Sequence, residues 1–510
     1  MTSVIALTGR GLTPLGVADV ARRGTTVEIA AEACTQMTAA RAIVLDALAT
    51  GMPVYGLTTG LGQRLEERID PADAAEVSLR TVRGRAVSVG DPLDRELVRA
   101  AMLVRLNGLC TGGSGASLDL ARAVAALLNA GVHPQIPRSG SVGAADICML
   151  AHIGLTLVGE GEAELDGSCM PSAAALERVG LRPIKLGPKD GLALCSSSAV
   201  SVGTAALVLL DSREALRIAQ VAAALSMEGF RANVSPIDVR AADARPAPGQ
   251  QWAAAELRRL LADGTLTKAD AARRLQDPLS FRCASQVHGS FQAALELLDH
   301  AVAAELNAAA DNPLVIALDG EVISTGNFHT PALALALDAA AIALAQVASL
   351  VAARPARLAS GRLSGLPVNL TAPGRGRSGV GPLQKTAEAL LVEIRHLASP
   401  LALHPSSGAD GVEDDSTNAV QGALRVREQL DRMLRLLAIE LVCAAQAVDL
   451  AAPERLGVGV AAAHRCVRES VESLDDDRPL GADAERVAVE ALVSGRLLEV
   501  VEAALRLRSV

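Results

Sequence analysis

The chain has 510 residues and a formal net charge of −9; 50% of its residues are hydrophobic and 21% are charged. This length predicts about two to four domains, and so much apolar material at so low a charge density excludes a disordered chain. The aromatic residues are four Phe, one Trp and one Tyr, so the core must consist of Ala, Leu and Val, as in close-packed helices. Few aromatics and an acidic balance also exclude nucleic acid as a partner.

The cysteines and histidines give no sign of a disulfide framework or a metal site. The eight Cys form no Cys-x-x-Cys pair, and the eight His form no His-Glu-x-x-His motif. We therefore predict no metal, and free thiols indicate a reducing compartment. The N-terminus lacks the basic and apolar regions of a signal peptide.

Residues 1 to about 205 alternate helical runs with turns rich in glycine and proline. Predicted helices include Leu97 to Leu106 and Ser117 to Ala130. Such frequent turns indicate long loops, and long loops in a compact enzyme usually carry function. We predict a mixed, loop-rich N-terminal domain, residues 1–205, that holds the active site.

From about residue 206 onward the pattern changes to long helices, because apolar residues recur at three- and four-residue spacing. We predict a C-terminal long-helix bundle, residues 206–510, that also mediates oligomerisation. The fold class is therefore mainly α. The predicted long helices are Thr204 to Met227, Phe291 to Ala309, His329 to Ala353, Gln384 to Leu401, Asn418 to Ala451 and Glu485 to Leu507.

The most apolar stretch runs from Ala332 to Ala353. It contains Asp338 and Gln346 and is otherwise nearly all Ala and Leu. A helix buried by other helices explains this composition better than a membrane span.

Tyr55 is the first candidate for chemistry, because it is the only tyrosine and lies in a loop rich in glycine and threonine, Val54 to Gly62. The glycines allow tight backbone bends. A phenol acts as a base only where a neighbouring cation stabilises the phenolate. A phenol packed at the edge of a loop is the other interpretation.

Four further segments combine polar residues with turns, and Arg282 lies in one of them. A guanidinium among apolar residues needs an anion, and its forked donors match a carboxylate. The segments are Gly140 to Asp146, Gln276 to Cys283, Asp311 to Leu314 with Asn327 to His329, and Glu413 to Asp415. In the same order, their other interpretations are an ordinary helix entry, an intrachain salt bridge, a plain turn and a solvated helix start.

Together and in this order, these segments resemble the histidine/phenylalanine ammonia-lyase family over nearly the whole chain. The matching motifs are the Tyr55 loop, Gly140 to Gly143 with Asp146, Leu150 to His152, Gly159 to Glu162, Lys189 to Leu194, Gln276 to Pro278 with Ser280 and Arg282, Asp311 to Pro313, Gly326 to His329, Ser364 to Pro367 and Glu413-Asp414. The resemblance implies an ammonia-lyase/fumarase-like helical bundle. It also implies a cytoplasmic homotetramer whose active sites are completed by loops from several subunits.

One departure from the family concerns its prosthetic group. Family members cyclise and dehydrate an internal Ala-Ser-Gly to a methylidene-imidazolone ring, which activates the substrate for loss of ammonia. Between Gly143 and Asp146 this chain has only Ala144 and Ala145, one residue fewer and without a hydroxyl. We therefore predict that the ring is absent and that no other cofactor is used. Ser139-Gly140 has suitable residue types but precedes Gly143.

Other departures lie at positions that the resemblance assigns to the active site. Leu279 stands where the family has a catalytic tyrosine, Arg85 where histidine ammonia-lyases have a substrate-side histidine, and Ser196 where the family has an asparagine. A buried guanidinium without a counter-charge is costly, so Arg85 indicates a ligand with additional negative charge. The residues that still match are Tyr55, Gln276, Arg282, Asn312, Phe328 and Glu413.

Without the ring, elimination needs a substrate with a good leaving group or an acidified β-carbon. Ergothionase-like lyases, a ring-free branch that resembles this family, expel trimethylamine from a betaine of thiol-histidine. Gly381 aligns with a substrate-lining helix position, and Lys385 lies one turn later, where an ammonium can pair with an anionic ring. A surface lysine beside Gln384 is the other interpretation.

The sequence thus predicts a ring-independent carbon–nitrogen lyase that acts on a small amino-acid-like substrate, with no membrane partner. By this resemblance, Arg282 holds the substrate carboxylate with Asn312 and Gln276, and Tyr55 removes the β-proton. Glu413 contacts the amine or ring end, and Phe328 forms an apolar wall. An ordinary histidine or aromatic ammonia-lyase and a non-catalytic binding or scaffold homologue are the alternatives.

Overall fold

The computed structural model of the protein describes residues 4–64, 66–374, 376–404, 408 and 411–508. These residues are mainly helical, which confirms the predicted fold class. The chain divides into two compact units, each discontinuous in sequence: residues 1–210, 298–337 and 401–424, and residues 211–297, 338–400 and 425–510. The functional division at about residue 205 stays a prediction.

The strands are short, and within the described residues all of them belong to the first unit. β1 pairs with β2 in parallel, and the antiparallel sheets are β3–β5, β4–β6–β7 and β8–β9. The strands are β1 (Val4–Leu7), β2 (Thr26–Ile29), β3 (Val89–Pro92), β4 (His133–Pro134), β5 (Pro137–Ser139), β6 (Glu162–Leu165), β7 (Ser168–Pro171), β8 (Leu314–Ile316) and β9 (Glu321–Ile323).

Helices make up most of the described chain in both units. They are α1 (Pro14–Arg23), α2 (Ala31–Thr50), α3 (Ala74–Arg85), α4 (Arg95–Cys110), α5 (Leu118–Ala130), α6 (Ile147–Leu157), α7 (Ser172–Arg178), α8 (Asp190–Cys195), α9 (Ala199–Phe230), α10 (Val239–Asp243), α11 (Pro248–Leu261), α12 (Leu279–Arg282), α13 (Ala284–Leu306), α14 (Pro331–Ala359), α15 (Gly361–Ser364), α16 (Leu383–His396), α17 (Ala419–Ala451), α18 (Val458–Ser470), α19 (Leu480–Val487) and α20 (Arg496–Arg508).

The long helices α9, α13, α14 and α17 lie where the spacing of apolar residues predicts them. α14 continues through Pro355, although the predicted end was Ala353. A proline removes one backbone hydrogen bond inside a helix. Next to it, Arg354 is fully buried and forms an ion pair with Glu440, so burial outweighs the local preference of proline.

The prediction of one helix from Glu485 to Leu507 was wrong. α19 is followed by one turn of π-helix, Ala488–Val493, and α20 begins after Gly495. Gly495 has φ +78°, a left-handed conformation that ends helices and suits glycine. Apolar spacing continues across this break and therefore conceals it.

α5 shows how the sequence determines one element of the first unit. The Ser117 hydroxyl accepts a hydrogen bond from the Leu120 amide at its start, and Gly131 with φ +70° ends it. Leu120, Val124 and Leu127 recur at three- and four-residue spacing and are buried. The helix therefore packs one apolar stripe into the first unit.

Two helical stretches, Asp190–Phe230 and Pro331–Ala359, are long and apolar enough to cross a membrane by length and composition alone. Their most apolar windows are 100% and 67% buried within the protein. Helices in a protein core have the same composition, which agrees with the prediction of a buried helix for residues 332–353.

Candidate active site

A cavity of about 90 Å³ lies in the first unit. Several of the residues that the sequence singled out line it, although they are far apart in the chain. They are Tyr55, Arg85, Ala144, Ala145, Ser196, Asn312, Phe328 and Glu413. The lining is completed by Leu61, Gly62, Ile147 and Leu192.

The Tyr55 loop is held in shape by its own backbone. The phenol oxygen of Tyr55 accepts a hydrogen bond from the Gly62 amide at 2.9 Å. Gly56 has φ +68°, and a Cβ there would lie 2.4 Å from the Leu192 side chain, so only glycine fits. The loop thus presents its phenol at the cavity with the oxygen already accepting one N–H donor.

The segment from Ser141 to Asp146, which we call the alanine segment, makes a sharp turn where Ala144 and Ala145 line the cavity. Ala145 has φ +60°, which is unfavourable for a residue with a Cβ, and Gly143 has φ +85°. Ala144 pairs with His329 through an antiparallel backbone bridge. The two alanines therefore occupy a conformation that the surrounding structure imposes.

Asp146 fixes this segment through hydrogen bonds to its buried side chain. Its carboxylate accepts hydrogen bonds from the Ser201 amide at 2.8 Å and from the Ser141 hydroxyl at 2.8 Å. Burial raises the pKa of Asp146 to about 6, although these hydrogen bonds favour the charged form. Asp146 thus ties the alanine segment to the start of α9.

Asn312 and Ser196 meet at another wall of the cavity. The backbone N–H of Asn312 donates a hydrogen bond to the Ser196 hydroxyl at 3.4 Å. The side-chain oxygen of Asn312 accepts one from the backbone N–H of Thr325 at 3.0 Å. The side-chain nitrogen of Asn312 has no hydrogen-bond partner among the described residues. Asn312 can therefore offer an N–H donor to a ligand.

Phe328 is fixed through its backbone. Its carbonyl oxygen accepts a hydrogen bond from the Ser198 hydroxyl at 2.7 Å. The neighbouring His329 ring lies 3.0 Å from an Asp415 carboxylate oxygen, and this contact lowers the pKa of Asp415. The aromatic wall and the segment that follows Glu413 are thereby connected.

Two opposite charges line the cavity. Neither the Arg85 guanidinium nor the Glu413 carboxylate has a hydrogen-bond or ion-pair partner within the described part of the chain. Both act on Cys148: burial raises the pKa of the Cys148 thiol, Arg85 opposes this shift and Glu413 adds to it. The cavity therefore offers a cation and an anion that are each available to a ligand.

The described residues contain no group of three or more His, Cys, Asp or Glu side chains that could hold a metal ion. All eight cysteines are free thiols.

The family model described as aromatic amino acid lyase matches residues 12–469. A histidine ammonia-lyase of Symbiobacterium thermophilum is 38% identical over 496 residues, which are 97% of this chain and 98% of that protein. The chain belongs to the aromatic amino acid lyase family. Its relatives within this family confirm that it is an enzyme, a carbon–nitrogen lyase of the ammonia-lyase superfamily.

Solved structures similar to this chain have the same fold. Ergothionase from Treponema denticola, an ergothioneine degrading enzyme in complex with desmethyl-ergothioneine sulfonic acid, aligns with a TM-score of 0.93 and 32% identity over 97% of this chain and 100% of that one. Histidine ammonia-lyase from Trypanosoma cruzi aligns with a TM-score of 0.91 and 33% identity over 98% and 96%. The predicted ammonia-lyase type of helical fold is confirmed.

Other predicted site residues of this lyase belong to the second unit. Arg282, at the end of α12, donates a hydrogen bond from its Nη1 to the side-chain oxygen of Gln276. The Arg282 Nε is buried and has no partner among the residues described. Arg282 therefore retains a donor for an anion. Leu279, which replaces the family's tyrosine, is 60% exposed.

Lys385 is exposed on α16, and its ammonium has no partner in the described ranges. The sequence placed Gly381 one turn earlier on the same helix, which was wrong, because α16 begins at Leu383. A Cβ on Gly381 would lie 2.8 Å from the side-chain nitrogen of Asn369, so this glycine allows a close contact in the second unit.

Sequence reasoning missed the apolar lining residues and the anchoring role of Asp146. Leu61 and Gly62 lie in the Tyr55 loop, Leu192 lies in the Lys189 to Leu194 motif, and Ile147 follows Asp146. The signal was present in each case, because these residues belong to or adjoin the motifs that indicated the family.

Proposed function

We propose that this enzyme eliminates an amine across the Cα–Cβ bond of an amino-acid-like substrate without a methylidene-imidazolone ring. The observation that carries the proposal is the set of polar groups in the cavity with no partner among the described residues. Arg85 supplies a cation, Asn312 an N–H donor and Glu413 an anion, beside the only tyrosine. Such a set complements a zwitterion that also carries a polar side chain.

The residues at the ring-forming position do not fit the group that the family uses. Ring formation eliminates a serine hydroxyl, and Ala144 and Ala145 have methyl side chains. The nearby Ser141 hydroxyl accepts from the Gly143 amide at 3.0 Å and donates to Asp146. It is therefore engaged in holding the segment, and no step of the proposed reaction passes through a ring.

Ser139-Gly140 does not replace the missing residues. Ser139 is the last residue of β5 and pairs with Val89 in β3. A Cβ on Gly140 would lie 1.9 Å from the Ser88 hydroxyl oxygen, so the backbone there is closely packed. Cyclisation requires the backbone to fold back on itself, and a paired strand end opposes this.

The proposed step needs one base and a leaving group that departs unaided. The Tyr55 phenolate takes the β-proton, the electron pair of that C–H bond becomes the C=C bond, and the C–N bond breaks with its pair going to nitrogen. A trimethylammonium group leaves as neutral trimethylamine and needs no proton. The Gly62 amide donates to the oxygen that carries the charge of this phenolate. The Arg85 guanidinium, which lines the same cavity, supplies the positive charge that a phenolate base needs.

The remaining residues have binding roles in this proposal. The resemblance implies that Arg282 and Gln276 hold the substrate carboxylate with the help of Asn312, in an active site that loops from several subunits complete. Glu413 contacts the amine or ring end. The other proposed contacts are Phe328 as an apolar wall, Ser196 as a polar neighbour of Asn312, and Arg85 and Lys385 as cations for an anionic side chain.

We also propose that the enzyme acts as a homotetramer in the cytoplasm. Leu335 and Ile342 lie seven residues apart on α14 and are 61% and 40% exposed, which provides apolar surface for a partner subunit. Light scattering coupled to size exclusion measures the number of subunits, and a monomer at working concentration would contradict this assembly.

A substrate screen tests the reaction and separates it from its alternatives. Purified enzyme is incubated with histidine, phenylalanine, tyrosine and their trimethyl betaines, and with thiol-histidine betaine. Trimethylamine released only from betaines supports the ring-free reaction. Ammonia from a plain amino acid selects an ordinary ammonia-lyase instead, and binding without any release selects a non-catalytic homologue.

Tyr55→Phe tests the proposed base. We expect kcat to fall by about 10²- to 10⁴-fold, as general-base removal does, while the lost Gly62 contact costs only about 1 kcal/mol of stability. Ser198→Ala is the matched control, because it also removes one hydrogen bond beside the cavity but no base. Equal losses of kcat in both variants would remove Tyr55 from the mechanism.

A further inference from the structure

Two fully buried cations lie behind the cavity wall without lining it. Arg105, on α4, has 0% of its side chain exposed, and Lys189, just before α8, is 2% exposed as a residue. Burying a charge is costly unless it is paired and hydrogen-bonded. Small apolar side chains can fill this core without either charge. The hydrogen bonds of Arg105 and Lys189 therefore indicate the role of these two cations.

Each cation holds one neighbour of Asn312. The Arg105 Nη2 donates to the Asp311 carboxylate at 2.6 Å. The Lys189 ammonium donates to the Pro313 carbonyl oxygen at 3.3 Å and to the Ser114 carbonyl oxygen at 2.5 Å. The residues on both sides of Asn312 are thus fixed by buried charges.

Arg105 also connects two walls of the cavity. The same Nη2 donates to the Ala193 carbonyl oxygen in α8, three residues before Ser196. Asp311 in turn accepts at its carbonyl oxygen from the Thr325 hydroxyl at 2.7 Å. One guanidinium group therefore sets the spacing between the end of α8 and the Asn312 segment.

Asp311 balances the two cations. One carboxylate oxygen receives Arg105, and the other is buried without a hydrogen-bond partner among the described residues. Burial lowers the pKa of Lys189 to about 8, and the negative charge of Asp311 opposes this shift. Asp311 is thus held electrostatically by both cations, and Asn312 follows it directly in the chain.

We propose that Arg105 and Lys189 are positioning residues that hold Asn312 in place to bind the substrate. This assignment rests on the proposed function, in which Asn312 contacts the substrate carboxylate. The two cations touch neither substrate nor reacting atoms. They act through Asp311 and Pro313.

Arg105→Lys tests this proposal with little change in charge. The lysine ammonium ends one bond short of the Arg105 Nη2, so it cannot hold Ala193 and Asp311 in the same geometry. Arg99→Lys is the matched control on the same helix. Arg99 is also buried and donates to the Val20 and Leu128 carbonyl oxygens at 2.9 and 3.0 Å, but it does not line the cavity or contact the Asn312 segment.

The first readout needs no substrate. Hydrogen–deuterium exchange is measured over residues 190–198 and 311–328. We expect exchange there to be about tenfold faster in Arg105→Lys than in the parent enzyme, and unchanged in Arg99→Lys. Unchanged exchange in Arg105→Lys, or an equal increase in the control, would overturn the proposal. Lys189→Gln provides a second variant with the same expectation for residues 311–328.

The second readout uses the substrate that the screen identifies. We expect Arg105→Lys to raise KM about tenfold with a smaller effect on kcat, and to have no further effect in an Asn312→Ala background, because the two residues act in series. Equal losses in both backgrounds would show that Arg105 acts independently of Asn312. If turnover is absent altogether, the proposed function fails, and the exchange experiment still decides whether Arg105 holds the segment.

Discussion

Gly143→Ala would disturb the connection between the alanine segment and the residues that follow Glu413. Gly143 has φ +85°, and a Cβ there would lie 2.1 Å from the Thr417 hydroxyl oxygen and 2.7 Å from the Asn418 amide nitrogen. Two hydrogen bonds hold these strands of backbone together: Thr417 donates to the Gly143 carbonyl oxygen at 3.1 Å and the Asn418 amide donates to Val142 at 2.9 Å. The added methyl group cannot fit without separating them.

The magnitude follows from two contributions. A non-glycine residue in the left-handed region costs about 1 kcal/mol, and a contact closer than any normal Cβ contact costs about 1–3 kcal/mol more. Gly131 provides a control that isolates the first contribution, because it has φ +70° and a Cβ there would meet nothing within 4 Å. We expect Gly143→Ala to destabilise the protein by about 2–4 kcal/mol and Gly131→Ala by about 1 kcal/mol.

Urea unfolding at equal protein concentration measures both variants. Gly143→Ala should also lose most of its activity, since Glu413 is displaced from the cavity, whereas Gly131→Ala should retain it. If the two variants unfolded at the same urea concentration with the same activity, the close packing of Gly143 against Thr417 and Asn418 would be refuted.

Two further predictions concern the second unit. Burial raises the pKa of the Glu228 carboxyl from its usual 4.5 to about 7 in the folded protein. The contribution of this carboxyl to the free energy of unfolding is therefore fully present below pH 4.5 and is lost as the pH rises through 7. Glu228→Gln should therefore exceed the parent in unfolding free energy by about 3 kcal/mol at pH 8 and by under about 1 kcal/mol at pH 5; a gap independent of pH in urea titrations would contradict this assignment. Lys385→Ala should leave the unfolding free energy within about 0.5 kcal/mol, because the side chain is exposed, and should raise KM about tenfold for an anionic-ring substrate. Glu388→Ala on the same helix is the control. If both variants kept the KM of the parent enzyme, Lys385 would be a surface residue with no part in substrate binding.

Much of the fold could be predicted from the sequence, because long helices repeat their apolar residues over many turns. The limits of these helices were harder to predict. Arg354 and its buried partner Glu440 carry α14 past Pro355, and such a contact between distant residues leaves no trace in local spacing. Gly495 carried a recognisable stop signal, but the apolar pattern on both sides concealed it.

The candidate site could be predicted only through the family resemblance. Tyr55 and Glu413 line one cavity although most of the chain separates them, and no periodicity indicates such a contact. Ala145 adopts φ +60°, which is unusual for alanine and is imposed by the contacts of Ser141 and Asp146. Arg105 had one signal that sequence reasoning did not use, namely a charge inside the apolar run of α4.

The central claim is that this enzyme forms no ring from its own backbone. Intact mass spectrometry followed by peptide mapping of residues 139–146 measures this most directly. The peptide map also distinguishes a loss of water in residues 139–146 from one at Ala359-Ser360-Gly361, the one Ala-Ser-Gly tripeptide in the sequence. We expect the full mass of the unmodified chain in both places. A peptide lighter by two waters, with turnover that depends on it, would contradict a ring-free reaction.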